Sequence, residues 1–276
     1  IVAVVPSLFF DKEMGNILNY DEFLILVDID GDKFYLSPIR KSKNIEDYQL
    51  RNCTLVLLDK NAESIKTLTH KTSTNEILLN ANINILDKDS LTADIQLKLK
   101  GLVNPYFKLQ SKKDKIKSNF SGLPSKSISD VDVKTISMEV AELKLRSELS
   151  NPFTIQENYF KYQLPKINGG VDSWHYNLLT AKRNSVLKIP FTINEKYEFK
   201  IKIPEGFKYV SGPQTIEISN SIGHLLMNID VNESEIVIEK WIKIDKNTVK
   251  TTEYQDFKVI MDVWNNHNNN FVIFKD

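Results

Sequence analysis

The chain has 276 residues, 41% of them hydrophobic and 26% charged, with 36 Lys+Arg against 36 Asp+Glu. That length buries a substantial core, and the balanced charge, with no basic stretch interleaved with aromatics, excludes the electrostatic footprint of a nucleic-acid binder. No apolar run approaches the ~20 residues of a transmembrane helix, and the single cysteine, Cys53, excludes an intrachain disulfide and a Cys-rich metal site.

Taken in chain order, "IVAVVPSLFF" (Ile1 to Phe10) lacks the charged leader of a signal peptide and carries Pro6 in its middle, so it reads as a buried strand. The chain begins without Met, as a mature form or a proteolytic piece would. "NYDEFLILVDIDGDKFYLSP" (Asn19 to Pro38) reads as two strands around an Asp30-Gly31 turn. Cys53 lies in "NCTLVLLD", which alternates as a strand does and makes the thiol a small buried hydrophobe. In "LTADIQLKLKG", Leu91, Ala93, Ile95, Leu97 and Leu99 face one way and polar residues the other. Gln110 to Asp130 is polar and lysine-rich, a short helix with loops or a mobile connection.

"VDVKTISMEVAELKL" alternates through Ile136, Met138 and Val140, then shifts phase to Leu143 and Leu145, which predicts a β-bulge near Ala141. "INGGVD" is a loop and "PEGF" a strand-to-strand turn. "EKYEFKIKI" sets Tyr197, Phe199, Ile201 and Ile203 against Lys196, Glu198, Lys200 and Lys202. "EIVIEKWIKI" places Ile236, Ile238, Ile242 and Ile244 on one face, with Lys240 breaking the row and Trp241 on the other side. The rhythm changes in "TTEYQDFKVIMDVWNNHNNN", where Tyr254, Phe257, Met261 and Trp264 recur at helical spacing and Thr252 with Gln255 makes a capping box. "FVIFK" supplies a last strand, so the helix is expected to lie across a sheet with its aromatic stripe buried. The fold is therefore mostly β, antiparallel and sandwich-like, with one C-terminal α-helix packed on a sheet.

Catalysis finds few candidates. His70, His175, His224 and His267 are scattered, none in an HExxH spacing, so no metal site and no cofactor is implied. "SWHYN" clusters Trp174, His175 and Tyr176 in a loop, a weak small-molecule or glycan contact set against the plainer reading of a loop stapled to the sheet through Trp174. Asp28 and Asp30 flank the hairpin turn, where an acid pair and two solvated turn residues look the same. "NGG" alone is no phosphate loop.

The hairpin carries a resemblance. "YDEFLILVDIDGDKFYLSP" resembles the end of the transglutaminase-like (cysteine-peptidase-like) core of large bacterial proteins, where Phe-Asn-His, an apolar strand, a Gly turn and an aromatic-x-Leu-Asp-Pro-Thr stretch follow one another. Aligned on Gly31, Leu36 and Pro38, Tyr20 matches the Phe, Asp21 the Asn, Glu22 the histidine and Ser37 the aspartate. In that family the histidine and aspartate complete a triad with a cysteine on an upstream helix; here both positions are changed, and Cys53 falls after the hairpin. "LDKDSLTADIQLKLKG", "RNSVLKIPFTINEKYEFKIKIPEGFKYVSGP", "EYQDFK" and "NFVIFKD" look like the β-rich C-terminal regions of unknown function in the same proteins.

The resemblance implies three parts: a remnant of the transglutaminase-like core and linker over 1–70, an antiparallel β domain over 71–185, and a C-terminal β domain with the late helix over 186–276. It implies a degenerate triad at Glu22 and Ser37 and an exported protein, periplasmic or at the cell surface. The leading expectation is a non-catalytic accessory or binding region whose partner is a neighbouring domain or an envelope protein or glycan. The alternative is the C-terminal fragment of a cysteine peptidase whose nucleophile lies upstream. A third reading is a glycan-active enzyme using an acidic pair.

Overall fold

The computed structural model describes residues 1–6, 10, 20–39, 50, 53–58, 66–68, 75–106, 109, 112–137, 139–176, 179–232 and 234–275. His70 and Met138, used above, lie outside them. The chain divides into two units, Ile1–Ser73 and Thr74–Asp276.

The first unit contains β1 (Val2–Pro6), β2 (Glu22–Ile29), β3 (Asp32–Leu36), β4 (Cys53–Leu57) and β5 (Lys66–Leu68), in the sheet order β3-β2-β1-β4-β5. Its all-apolar first strand is central because both faces of it are covered: Val2 and Val4 pack with Leu24, Tyr35 and Leu55, while Ala3 and Val5 pack with Val56. The β2–β3 hairpin turns on Asp30 and Gly31, both at positive φ (54° and 93°), as a two-residue turn between twisted strands requires. Asp28 is exposed and its Oδ1 accepts from the Gly31 N–H at 3.0 Å, a turn-closing role.

The second unit runs β6 (Glu76–Ile85), β7 (Ser90–Lys100), α1 (Lys113–Lys117), β8 (Phe120–Ser121), β9 (Ile128–Ile136), β10 (Val140–Ser150), β11 (Phe153–Gln156), β12 (Tyr159–Gln163), β13 (Lys166–Ile167) and β14 (Leu187–Lys188). It continues through β15 (Ile193–Lys202), β16 (Lys208–Tyr209), β17 (Gln214–Ser219), β18 (Gly223–Val231), β19 (Glu235–Ile244), β20 (Thr248–Val249), α2 (Tyr254–Trp264) and β21 (Phe271–Lys275). Eight strands form one sheet in the order β17-β18-β19-β15-β6-β7-β10-β9, and β11-β12-β21-β16 form a second. All these neighbours are antiparallel except β15 and β6, whose parallel pairing joins the two halves of the sheet.

That pairing corrects the expected boundary at 185/186. Strands from both sides of it share one sheet, and a single hydrophobic core runs from Ile77 to Phe274. The alternation in β6, β7, β10, β15 and β19 explains why: each strand has one apolar face, and one face can be buried only once. Helix α2 lies on that face as expected, with Tyr254, Phe257, Ile260, Met261 and Trp264 buried. Its start differs. Glu253 reaches back to accept from the Lys250 N–H at 3.1 Å, two residues earlier than a Thr252–Gln255 box, and Gln255 instead donates to the Ala181 carbonyl at 2.7 Å.

The bulge also moves. β9 ends at Ile136 and its antiparallel neighbour β10 opens at Val140, with the Ser137 N–H donating to the Val140 carbonyl at 2.8 Å, and Ala141 stays in phase with Leu143 and Leu145 on the buried face. The register slips in β9 instead, where Glu142 pairs with Thr135 but Leu143 pairs with Val133. The apparent phase shift was a hairpin read as one strand.

Candidate functional site

Glu22 opens β2 opposite Val4, and Ser37 follows β3. Ser37 Oγ donates to Glu22 Oε1 at 2.5 Å and accepts from the Ile39 N–H at 3.3 Å. The two positions aligned with the histidine and aspartate are thus brought together, and they satisfy each other. Cys53 lies elsewhere on the sheet: it pairs with Pro6 on the far edge of β1, while Glu22 pairs with Val4 on the near edge. Two strand spacings of ~4.8 Å and a two-residue offset along β1 put their backbones roughly 12 Å apart. The half-buried thiol is pushed up in pKa, first by burial and then by the Asp21 charge. Both influences oppose the thiolate that a cysteine nucleophile needs.

The Trp174 loop takes the form of a staple. Residues Gly170–Trp174 make a 3-10 turn ending on His175 in the left-handed region (φ 58°). Trp174 is only 6% exposed and meets Tyr176 and Phe191 edge-on at 6.3 and 5.7 Å between ring centres. Tyr176 packs edge-on against Phe257 of α2 at 6.0 Å and donates its hydroxyl to the Lys188 carbonyl at 2.8 Å. His175 points to solvent. The structure therefore separates the trio: two rings hold the loop to the core and one remains outside. Of the other histidines, His224 packs against Trp241 at 4.5 Å and the exposed His267 against Phe271 at 4.6 Å. Trp241 is half-buried, its Nε1 donating to Asn194 Oδ1 at 2.6 Å.

The densest chemistry sits where the sequence reading did not place it. Glu195 on β15 and Lys240 on β19 occupy inward positions of apolar rows and are 1% and 6% exposed. In register, Tyr197 is opposite Lys240 and Glu195 opposite Ile242, so the two charges are diagonal neighbours. Glu195 Oε1 accepts from the Tyr197 hydroxyl and Oε2 from the Val171 N–H, each at 2.8 Å. Burial raises its pKa to about 7, against the opposing pull of those two bonds. Lys240 Nζ donates to Asn270 Oδ1 at 2.6 Å and lies 5.1 Å from the centre of the Trp264 ring. Burial, and then the positive charge of Lys166, lower its pKa to about 8. Lys166 and Asp172 form an ion pair.

These groups, with Leu164, Pro165 and Phe199, line a cavity of about 20 Å³, room for a single water. Gly170 makes the close approach possible, since a Cβ there would lie 2.2 Å from Glu195 Oε2. The readable signal was parity: Lys240 interrupts an isoleucine row, and Glu195 heads the row continued by Tyr197, Phe199 and Ile201.

Comparison with known proteins agrees with this architecture. Residues 156–274 match a family described as "Domain of Unknown Function with solved-structure structure", DUF3858. No curated protein matches the chain. The crystal structure of a putative protease from Parabacteroides distasonis ATCC 8503 is similar over 100% of this chain, with a TM-score of 0.52 and 17% sequence identity. This chain spans 39% of that one, and at such identity the likeness concerns the fold. Among the described residues, no helix is long and apolar enough to cross a membrane.

Proposed function

We propose that this chain is a non-catalytic, β-rich accessory or binding region of an exported transglutaminase-like protein, placed in the periplasm or at the cell surface. There it positions a neighbouring domain or binds an envelope protein or glycan. The observation that carries the reading is the Ser37–Glu22 hydrogen bond. Where a triad needs an imidazole and a carboxylate to orient it, this corner holds a carboxylate and a hydroxyl engaged with each other, about two strand spacings from the cysteine. The link to transglutaminase-like proteins and the export rest on the hairpin resemblance. The face of the large sheet that carries Trp241, His224 and the Lys196–Glu239 ion pair (2.7 Å) offers a ring held by hydrogen bonding among neutralised charges, which suits a polar, uncharged ligand such as a glycan.

The test is incubation of the chain with peptide substrates and a thiol-directed probe, beside a screen for glycan binding. No turnover is expected, and any glycan retention should fall on Trp241→Ala. Turnover abolished by Cys53→Ser would overturn the accessory reading.

A second reading is favoured by the likeness to a putative protease, of whose chain this one spans 39%. In it, the chain is the C-terminal part of a cysteine peptidase or transglutaminase-like enzyme whose nucleophile lies upstream. Reading the gene before Ile1 for a cysteine-bearing helix tests it.

A further inference from the structure

The accessory role leaves unused the most deeply buried charges among the described residues, Glu195 and Lys240. Among the described residues Lys240 has no carboxylate within ion-pair distance; its hydrogen-bond partner is the side-chain carbonyl of Asn270 at 2.6 Å. A buried cation with a neutral partner is costly, since burial of a charge is ordinarily offset by pairing. The Asn270 Nδ2 donates to no group among the described residues. Glu195, Tyr197, Phe199 and Trp264 line the same small cavity as the lysine and the asparagine, so an amine, a carboxamide and a carboxyl meet in a space with aromatic walls.

We propose that Lys240 and Asn270 join through an intramolecular isopeptide bond, with Glu195 as the group that moves the protons. The amine lone pair of Lys240 attacks Cγ of Asn270, and the carbonyl π pair shifts to Oδ1, which the Glu195 carboxylic acid stabilises. The Glu195 carboxylic acid gives its proton to Nδ2, the carboxylate so formed takes the proton shed by the attacking nitrogen, the electron pair on Oδ1 re-forms the carbonyl as the Cγ–Nδ2 bond breaks, and ammonia leaves. One C–N bond forms and one breaks, nothing is oxidised or reduced, and Glu195 ends as it began.

Three physical conditions are met here. The reaction needs a neutral amine beside a protonated carboxyl; burial brings Lys240 down to about 8 and Glu195 up to about 7, so both forms are populated near neutral pH. Aminolysis of an unactivated amide is slow in water, and reactants held in contact by a folded core gain effective molarities on the order of 10⁵ M or more. The product is a neutral amide, which removes the cost of the buried ammonium. Asn270 is half-buried, so ammonia has an exit. The Lys166–Asp172 pair completes the charged groups around the cavity. The bond would tie β19, near the middle of the large sheet, to the turn that leads into the final strand β21. In a chain with one cysteine, it is a staple that a disulfide cannot supply.

The test is the intact mass of the whole chain under denaturing conditions, after incubation between about pH 7 and 8. The expected species is lighter than the sequence by one ammonia, and its digest contains a branched peptide joining Lys240 to Asn270. Lys240→Arg, Asn270→Ala and Glu195→Gln should each restore the full sequence mass, with circular dichroism verifying the fold of each variant. A wild-type chain that keeps its full mass after prolonged incubation overturns the bond. So does an ammonia loss that survives Lys240→Arg, as cyclisation of an asparagine onto the backbone would produce. Bond formation in Glu195→Gln at the wild-type rate overturns the role given to Glu195.

Discussion

Ser37 donates to Glu22 across the open end of the β2–β3 hairpin, and each is the other's hydrogen-bond partner at the two positions that a transglutaminase-like triad reserves for aspartate and histidine. The pair also fastens the strand end, because Ser37 simultaneously accepts from the Ile39 N–H. Ser37→Ala should therefore act on stability. Losing a half-buried hydrogen bond to a charged group costs about 1.5–3 kcal/mol, read as a lowered urea midpoint. A double variant, Glu22→His with Ser37→Asp, should not create peptidase turnover, because Cys53 remains about two strand spacings of ~4.8 Å away with its thiol held protonated by burial.

Glu195 and Lys240 make stability depend on pH in a predictable direction, best read in the Asn270→Ala variant, where both groups remain free to titrate. Glu195 has a folded pKa of about 7 against a reference of 4.5. Its contribution is fully present below about pH 4.5 and is lost as pH rises through about 7, on the order of 3 kcal/mol. Lys240 has a folded pKa of about 8 against 10.5, so the unfolded chain holds that proton more tightly, and stability recovers as pH rises from about 8 toward 10.5. The two limbs together predict a trough between about pH 7 and 8. Urea unfolding across that range should trace it, and adding Glu195→Gln should flatten the acid limb. A monotonic rise from pH 5 to 8 would contradict the assignment.

Much of this fold was legible because period-two alternation is a direct record of which face meets the core. β7, β15, β19 and α2 emerge from spacing alone. The number of sheets did not, since alternation tells a strand which side is wet but not which strand lies beside it. The parallel β15–β6 contact joins residues more than a hundred positions apart, and it fused two expected domains into one. The slip expected near Ala141 lies in the strand opposite, in β9 across from Glu142 and Leu143, because Ile136 ends one strand and Val140 opens its antiparallel neighbour. At the buried site, Lys240 was visible as a break in an isoleucine row, but its partners Asn270 and Glu195 arrive from a 3-10 turn and another strand. Only tertiary contact assembles them.

Gly170 gives a sharp steric test. Its φ of +61° disfavours any Cβ, and the added carbon would fall 2.2 Å from Glu195 Oε2 and 2.7 Å from Ile77 Cδ1. Gly170→Ala should cost more than the ~1–2 kcal/mol of a left-handed residue alone, because the carboxylate has to withdraw from the Val171 N–H. Gly31→Ala is the control. With φ +93° and nothing within 4 Å, it carries the backbone term only. Comparing the two by thermal unfolding separates close approach from backbone strain.

The Trp174 loop distinguishes anchoring from binding. Trp174 is buried against Tyr176 and Phe191, so Trp174→Ala should cost about 3–5 kcal/mol, the usual price of removing a large core aromatic. His175→Asn, which keeps a residue tolerant of the left-handed region, should change stability by no more than about 0.5 kcal/mol. If the trio instead formed a glycan contact, His175→Asn would weaken retention on a glycan array while leaving the melting temperature in place. Because Tyr176 donates to the Lys188 carbonyl and packs on Phe257, Tyr176→Phe provides the third arm. It removes the hydroxyl, keeps the ring, and should lower stability by about 1 kcal/mol with no effect on any ligand.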